Sequence, residues 1–226
     1  MDCLIIERRL LEGQSNSVAF PTTAARQVLD YLKTVYLEHE PLLAFAADEF
    51  MNKFCDVRYV VCKIVLALLK ETSADMEFAF ALLSRMQGLR SDEKLDGFLL
   101  LSDSERKGIS DQAAILERHE EPKASLLSEA GEEITPDVEL DVSLNELLDC
   151  KAHRQVFSDC WLALLRRPLS PELHRRVLLH ADSDFLSQLN SPIQLIDFLG
   201  DSYSMGGVCS ILSLNALFIL ISDYNL

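Results

Sequence analysis

The chain has 226 residues, 49% of them apolar, and a formal net charge of −15. A chain of this size and composition buries a substantial core. Its acidity is unfavourable for a free-standing nucleic-acid binder, because neutralising phosphates takes a concentrated cationic surface; any such contact is local or shared with a partner.

The charge is unevenly placed. Acidic residues outnumber basic ones by 15 to 5 between residues 92 and 143, so this stretch holds about two thirds of the net charge. The N-terminal MDCLIIERRLLEGQS has an apolar run broken by Glu7, Arg8 and Arg9 with no basic region ahead of it, and fails as a secretory signal. A reducing compartment is expected. The six cysteines form no C-x-x-C pair and have no histidine at zinc-finger spacing, so they read as buried thiols.

Helical spacing of apolar residues begins near Thr23. Val28, Tyr31, Leu32, Val35 and Tyr36 predict the buried stripe of a first helix, and Leu42, Phe45, Ala46, Phe50 and Phe54 that of a second, after Pro41. In DVRYVVCKIVLALLKE, Val57, Val60, Val61, Ile64, Val65 and Leu68 recur at helical intervals without a turn signal, which predicts a third. A fourth follows Thr72 and Ser73, with Phe78, Leu82, Leu83 and Met86 on one face and Gly88 as its stop.

Residues 92–143 lack a sustained period and mix acids with Pro122, Gly131 and Pro136; they predict a solvated, disordered acidic linker with one short helix near Ile115 to His119. Order is expected to resume at a capping box, Ser143 to Glu146. The next helix carries Phe157, Cys160, Trp161 and Leu164. Ser170-Pro171 and Ser191-Pro192 mark two further starts. The fold class is all-α, as helical layers or a HEAT-like stack, with a helical region over 1–91, the linker over 92–143 and a second helical domain over 144–226.

No catalytic motif emerges, and neither a cofactor nor a metal site is expected. His174 and His180, six apart, fall on different faces of one helix, and the five histidines read as surface or boundary residues. Arg166 and Arg167 end one helix, and Arg175 and Arg176 lie early in the next. The first pair suits the helix dipole; the four together are candidate contacts for a phosphate or an acidic partner. Gly206 and Gly207 suit a tight turn or close helix approach.

Gly206 to Ser222 has 17 residues, at the short limit for crossing a bilayer. Ser210, Ser213, Asn215 and Ser222 interrupt it, and no Lys or Arg lies beside it to orient it, so a helix buried among others is the expectation and a tail anchor the alternative.

From Val156 to Leu226 the order of features resembles the CCAAT-binding-factor domain of the nucleolar complex proteins. These features are Phe157 and Trp161-Leu162, the Leu-Ser-Pro turn before Arg175 to Leu178, Pro192 through Asp197-Phe198-Leu199, Gly206-Gly207, and the helix bearing Asn215 and Phe218. Ala216 departs from the family's usual glycine. The resemblance covers the last third of the chain and makes Trp161, Phe198 and Phe218 core anchors. Family members continue beyond the equivalent of Leu226, so the apolar tail is expected to be a core helix of a truncated domain.

The resemblance implies a non-enzymatic scaffold in ribosome biogenesis. It implies small-subunit assembly and pre-rRNA processing in the nucleolus, a nucleolar assembly-factor protein as partner, and local or indirect pre-rRNA contact. Association with the nuclear membrane is left open by some relatives.

Overall fold

The computed structural model describes residues 22–71, 74–90, 93–100, 144–181 and 183–224. Every regular element among them is helical, so the chain is all-α as expected. In chain order these are α1 (Thr22–Val35), α2 (Glu40–Ala46), a π turn (Ala47–Met51), α3 (Cys55–Lys70) and α4 (Met76–Leu83). After the acidic segment come α5 (Leu144–Leu148), α6 (Cys150–Leu165), α7 (Pro171–His180), α8 (Ser183–Gln188), a 3-10 turn (Pro192–Leu195), α9 (Ile196–Ser204) and α10 (Gly207–Tyr224). The capping serine at 143 and the short helix near Ile115 lie outside the described residues.

Side chains set the helix starts. Asp75 Oδ1 accepts from the Phe78 N–H at 3.0 Å, Asp149 Oδ1 from Lys151 N–H at 2.8 Å, and Ser170 Oγ from Leu173 N–H at 3.2 Å ahead of Pro171. Each satisfies a donor that the first helical turn leaves open. The Ser170 cap was legible in the sequence; the break at Asp149, which splits the expected helix into α5 and α6, was not.

The centre of the fold is α3 against α6, the most extensive contact between helices that are far apart in sequence. α3 is buried nearly all round: Val57, Val60, Val61, Ile64 and Val65 on the expected stripe, and Tyr59, Cys62 and Leu69 besides. Helices from both sides of the acidic segment thus share one hydrophobic cluster.

Two expected stripes are rotated. α1 buries Ala25, Leu29 and Leu32 on α3, while Val28 and Tyr31 face outward. In α2 and its π turn, Leu43, Ala47 and Met51 are buried, and Phe45 is exposed against the edge of Phe50. Adjacent apolar residues offered two faces, and the small alanines chose the closer approach.

Gly88 does not stop α4, which ends five residues earlier at Leu83. A Cβ there would sit 2.7 Å from the Phe157 ring, so this glycine serves close approach, and its N–H donates to Gln188 Oε1 at 2.7 Å.

Residues 93–100, inside the stretch read as linker, form a strap over the start of α3. Gly97 accepts from Cys55 N–H at 2.8 Å with φ +67°, and a Cβ at this position would fall 2.2 Å from the Lys53 carbonyl oxygen. The strap is held chiefly by Asp56. Its fully buried carboxylate accepts from Val57 N–H at 2.9 Å, Leu99 N–H at 3.0 Å and Leu100 N–H at 2.6 Å.

Candidate functional site

Phe157 and Trp161 on α6 are buried, and Trp161 lies among Phe80, His180 and Phe185, with the His180 ring stacked at 5.4 Å. Phe198 on α9 is half-buried, its ring 4.8 Å from His174. His174 Nε2 meets Ser202 Oγ at 2.8 Å, and that hydroxyl donates to the Phe198 carbonyl at 2.6 Å. The serine proton is therefore committed, and His174 donates from Nε2; burial lowers its pKa.

Gly206 and Gly207 have φ of +77° and +60°, and nothing lies within 4 Å of a Cβ built at either. They make a left-handed turn rather than a close approach, and fold α10 back on α9. Asp197 and Asn215 are exposed.

α10 buries Ser213, Ala216 and Leu220 against the body of the protein. The opposite face carries Val208, Ile211, Leu214, Phe218 and Ile221, with Ile211 70% and Phe218 69% exposed. Phe218 is thus no core anchor here, and α10 is not buried among other helices. Its spacing from Ile211 and Leu214 places all three on one side of the helix, and Ala216 marks the side that touches α9 and α7. An exposed apolar face of this kind is a candidate surface for contact with a partner or a membrane.

The four arginines do not form one exposed patch. Arg167 Nη2 donates to the Glu71 carbonyl at 2.6 Å, and Arg176 pairs with Glu77 at 2.7 Å while lying 4.9 Å over the Phe80 ring. Both clip the second group of helices onto the first. Arg175 faces water beside Glu172 at 3.5 Å, and Arg166 is exposed at the end of α6.

His153, read as a surface or boundary residue, is buried instead. Its Nε2 meets the Leu147 carbonyl at 2.9 Å and its ring lies 4.7 Å from Tyr59. Because the carbonyl can only accept, this nitrogen carries the proton of the neutral ring. Desolvation pushes the pKa down to about 4. The unfolded chain then binds a proton that the folded one refuses. Stability is full above pH 6.5 and falls, by up to about 3 kcal/mol, as the pH drops toward 4. Urea midpoints measured across that range should fall in the wild type and lose that part of the slope in His153→Gln; an unaltered slope in the variant would refute this assignment.

No group of His, Cys, Asp or Glu among the described residues is arranged to hold a metal ion. No family model matches the chain. Across 224 aligned residues, 95% of this chain, it is 28% identical to the nucleolar complex protein 4 homolog of Gallus gallus.

The resemblance is to nucleolar complex protein 4. The Homo sapiens homolog is 45% identical over 76 residues, 34% of this chain, and the Arabidopsis thaliana protein Nucleolar Complex Associated 4 is 37% identical over 70 residues, 31% of this chain. The matched parts make up 36%, 15% and 12% of those relatives, so the chain spans about a third or less of the nucleolar complex 4 proteins it matches. The resemblance is also wider than the last third of the chain, since the chicken match takes in the helices before the acidic segment. Those carry few of the ordered motifs that make the C-terminal part recognisable.

Proposed function

We propose that this protein is a non-enzymatic helical scaffold of ribosome biogenesis in the nucleolus, acting in small-subunit assembly and pre-rRNA processing. The observation that carries this reading is the similarity to the chicken nucleolar complex protein 4 homolog along 95% of the chain. A scaffold works through its surfaces, and the exposed face of α10 supplies an apolar area of the kind that a nucleolar assembly-factor protein would cover. Arg166 and Arg175 are the solvent-facing members of the arginine set and the ones suited to contact a partner or pre-rRNA.

The test is purification of the tagged chain from cells, sedimentation through a sucrose gradient and probing for pre-ribosomal RNA. Co-migration with small-subunit precursors is expected, and its loss in Arg166→Glu/Arg175→Glu with unchanged helicity would assign the contact. Recovery apart from every pre-ribosomal fraction would reject the scaffold role.

A second reading, a tail-anchored membrane protein with a helical domain outside the bilayer, draws on α10 itself. The helix has 18 residues, a mean hydropathy of 1.6 and little buried surface, and is long and apolar enough to cross a membrane. Against it stand Ser213, Ala216 and Leu220, which are packed into the protein. Membrane association that resists carbonate and vanishes on deletion of residues 206–226 would favour this reading.

A further inference from the structure

A polar cavity of about 620 Å³ opens on the side of the molecule where the end of α4, the strap, α6 and α8 meet. In a strongly acidic protein its lining is cationic: Arg58 from α3, Arg85 and Arg90 from the segment after α4, and Lys94 from the strap. Arg154 of α6 adds a guanidinium beside the loop, with Nη1 3.4 Å from the Arg90 carbonyl oxygen. These residues come from separate stretches of sequence, so no local run of basic residues announces them.

The partners of these cations divide them into two groups. Arg85 is bound to Glu40 and donates to the Ala81 carbonyl at 2.7 Å; Arg90 is tied to Glu93 within its own loop. The cavity's other acid, Asp96, accepts from Gly97 N–H at 2.8 Å. The side chains of Arg58 and Lys94 have no hydrogen-bonding or ion-pair partner among the described residues, and Arg58 is half-buried. A guanidinium partly removed from water and left without an anion is costly, and an incoming oxyanion relieves that cost. Its planar fork matches the oxygens of a phosphate. On the same wall the half-buried His180 borders the cavity and presents ring atoms against which a nucleobase can lie, while Phe157 and Phe185 are buried behind it.

We propose that this cavity binds a phosphodiester segment of RNA, with Arg58 and Lys94 as its phosphate-contacting cations. The choice of RNA over an acidic peptide rests on the ribosome-assembly reading and on the half-buried His180 ring beside the cations. The net charge of −15 repels a polyanion at long range, so binding depends on these few short-range contacts and not on the field of the whole protein. Two neutralised phosphates on a single strand correspond to a slope of about −1.4 in log affinity against log salt concentration.

The test is fluorescence anisotropy of a short labelled oligouridylate titrated with the purified full chain. Wild type should bind with that shallow salt slope, and Arg58→Ala/Lys94→Ala should bind about five-fold or more weakly with the slope moved toward zero. Lys94→Glu, at an exposed strap position that the fold does not need, should reproduce the loss, and Arg58→Lys, which keeps the charge, should recover part of it. Equal affinity in wild type and Lys94→Glu would overturn the proposal, as would no binding by wild type. Displacement of the RNA by polyglutamate as readily as by unlabelled RNA would overturn RNA as the occupant. The same variants sedimented with pre-ribosomal particles separate the two claims: co-migration with no RNA binding by the isolated chain leaves the scaffold role standing and removes the cavity from it.

Discussion

Replacing Asp56 with alanine is expected to lower the unfolding free energy by about 4 kcal/mol, a large share of what a domain of this size has. The carboxylate is fully buried and accepts from the N–H groups of Val57, Leu99 and Leu100. Its removal leaves those donors in the protein interior without an acceptor, and hydrogen bonds to a charged group are the stronger kind. Asp56→Asn keeps one acceptor oxygen and should cost about half as much. The substitution also has a local signature. Cys55, 2% exposed, donates its thiol to the Gly97 carbonyl at 3.2 Å, and burial pushes its pKa up to about 12. Loss of the strap uncovers it. Its reaction with a thiol reagent should therefore accelerate in Asp56→Ala under conditions where the helices persist by circular dichroism. An unchanged urea midpoint and an unreactive Cys55 would show that the strap is held by something else.

Trp161→Ala should destabilise by a similar amount, about 4 kcal/mol, through the cavity it leaves. The indole is completely buried, with Phe185 at 4.6 Å, His180 at 5.4 Å and Phe80 at 6.2 Å between ring centroids. These rings come from α4, α6, α7 and α8, so one side chain joins four helices. At this chain length the loss amounts to a fall of roughly 8–16 °C in Tm. Trp161→Phe is the informative companion. The indole Nε1–H is buried with no hydrogen-bond partner among the described residues, and phenylalanine removes that unsatisfied donor, offsetting part of the lost volume. Its cost should stay below about 2 kcal/mol. Because Trp161 is the chain's one tryptophan, both melts are followed by circular dichroism. Equal Tm values for Trp161→Ala and wild type would refute the role of this cluster.

Helices with one strong period were legible in the sequence, and α3 is the clearest case. Its β-branched stripe was found at the residues that are buried. α1 and α2 were legible as helices but not in rotation, since Val28 and Ala25, or Phe45 and Leu43, offer rival faces that only a neighbour decides. The strap was not legible at all. Asp56 reads as one more acid in a helix's first turn, and its partners in the strap, Leu99 and Leu100, lie more than forty residues on.

The same limit applies to the functional surfaces. The Arg166, Arg167, Arg175, Arg176 set stood out because it is contiguous in sequence, yet two of its members close the fold internally. The cavity cations are scattered between Arg58 and Lys94 and come together only through the turn of chain after α4. The apolar character of α10 was plain, whereas which of its faces meets the protein depended on Ala216 and Ser213 fitting against α7 and α9.

Three of the contacts that join the two groups of helices span almost the same distance along the chain. Cys160 donates to the Cys62 carbonyl across 98 residues, Gly88 binds Gln188 across 100, and Arg176 reaches Glu77 across 99. During synthesis, α3 therefore leaves the ribosome well before the helix that covers it. At ordinary elongation rates the wait is roughly 5–20 s. Helical proteins usually fold fast because their contacts are local; this one has its central pairing among its most distant. For that interval the Val- and Ile-rich face of α3 is open to chaperones and to neighbouring nascent chains, and the rate of translation through the acidic segment sets how long.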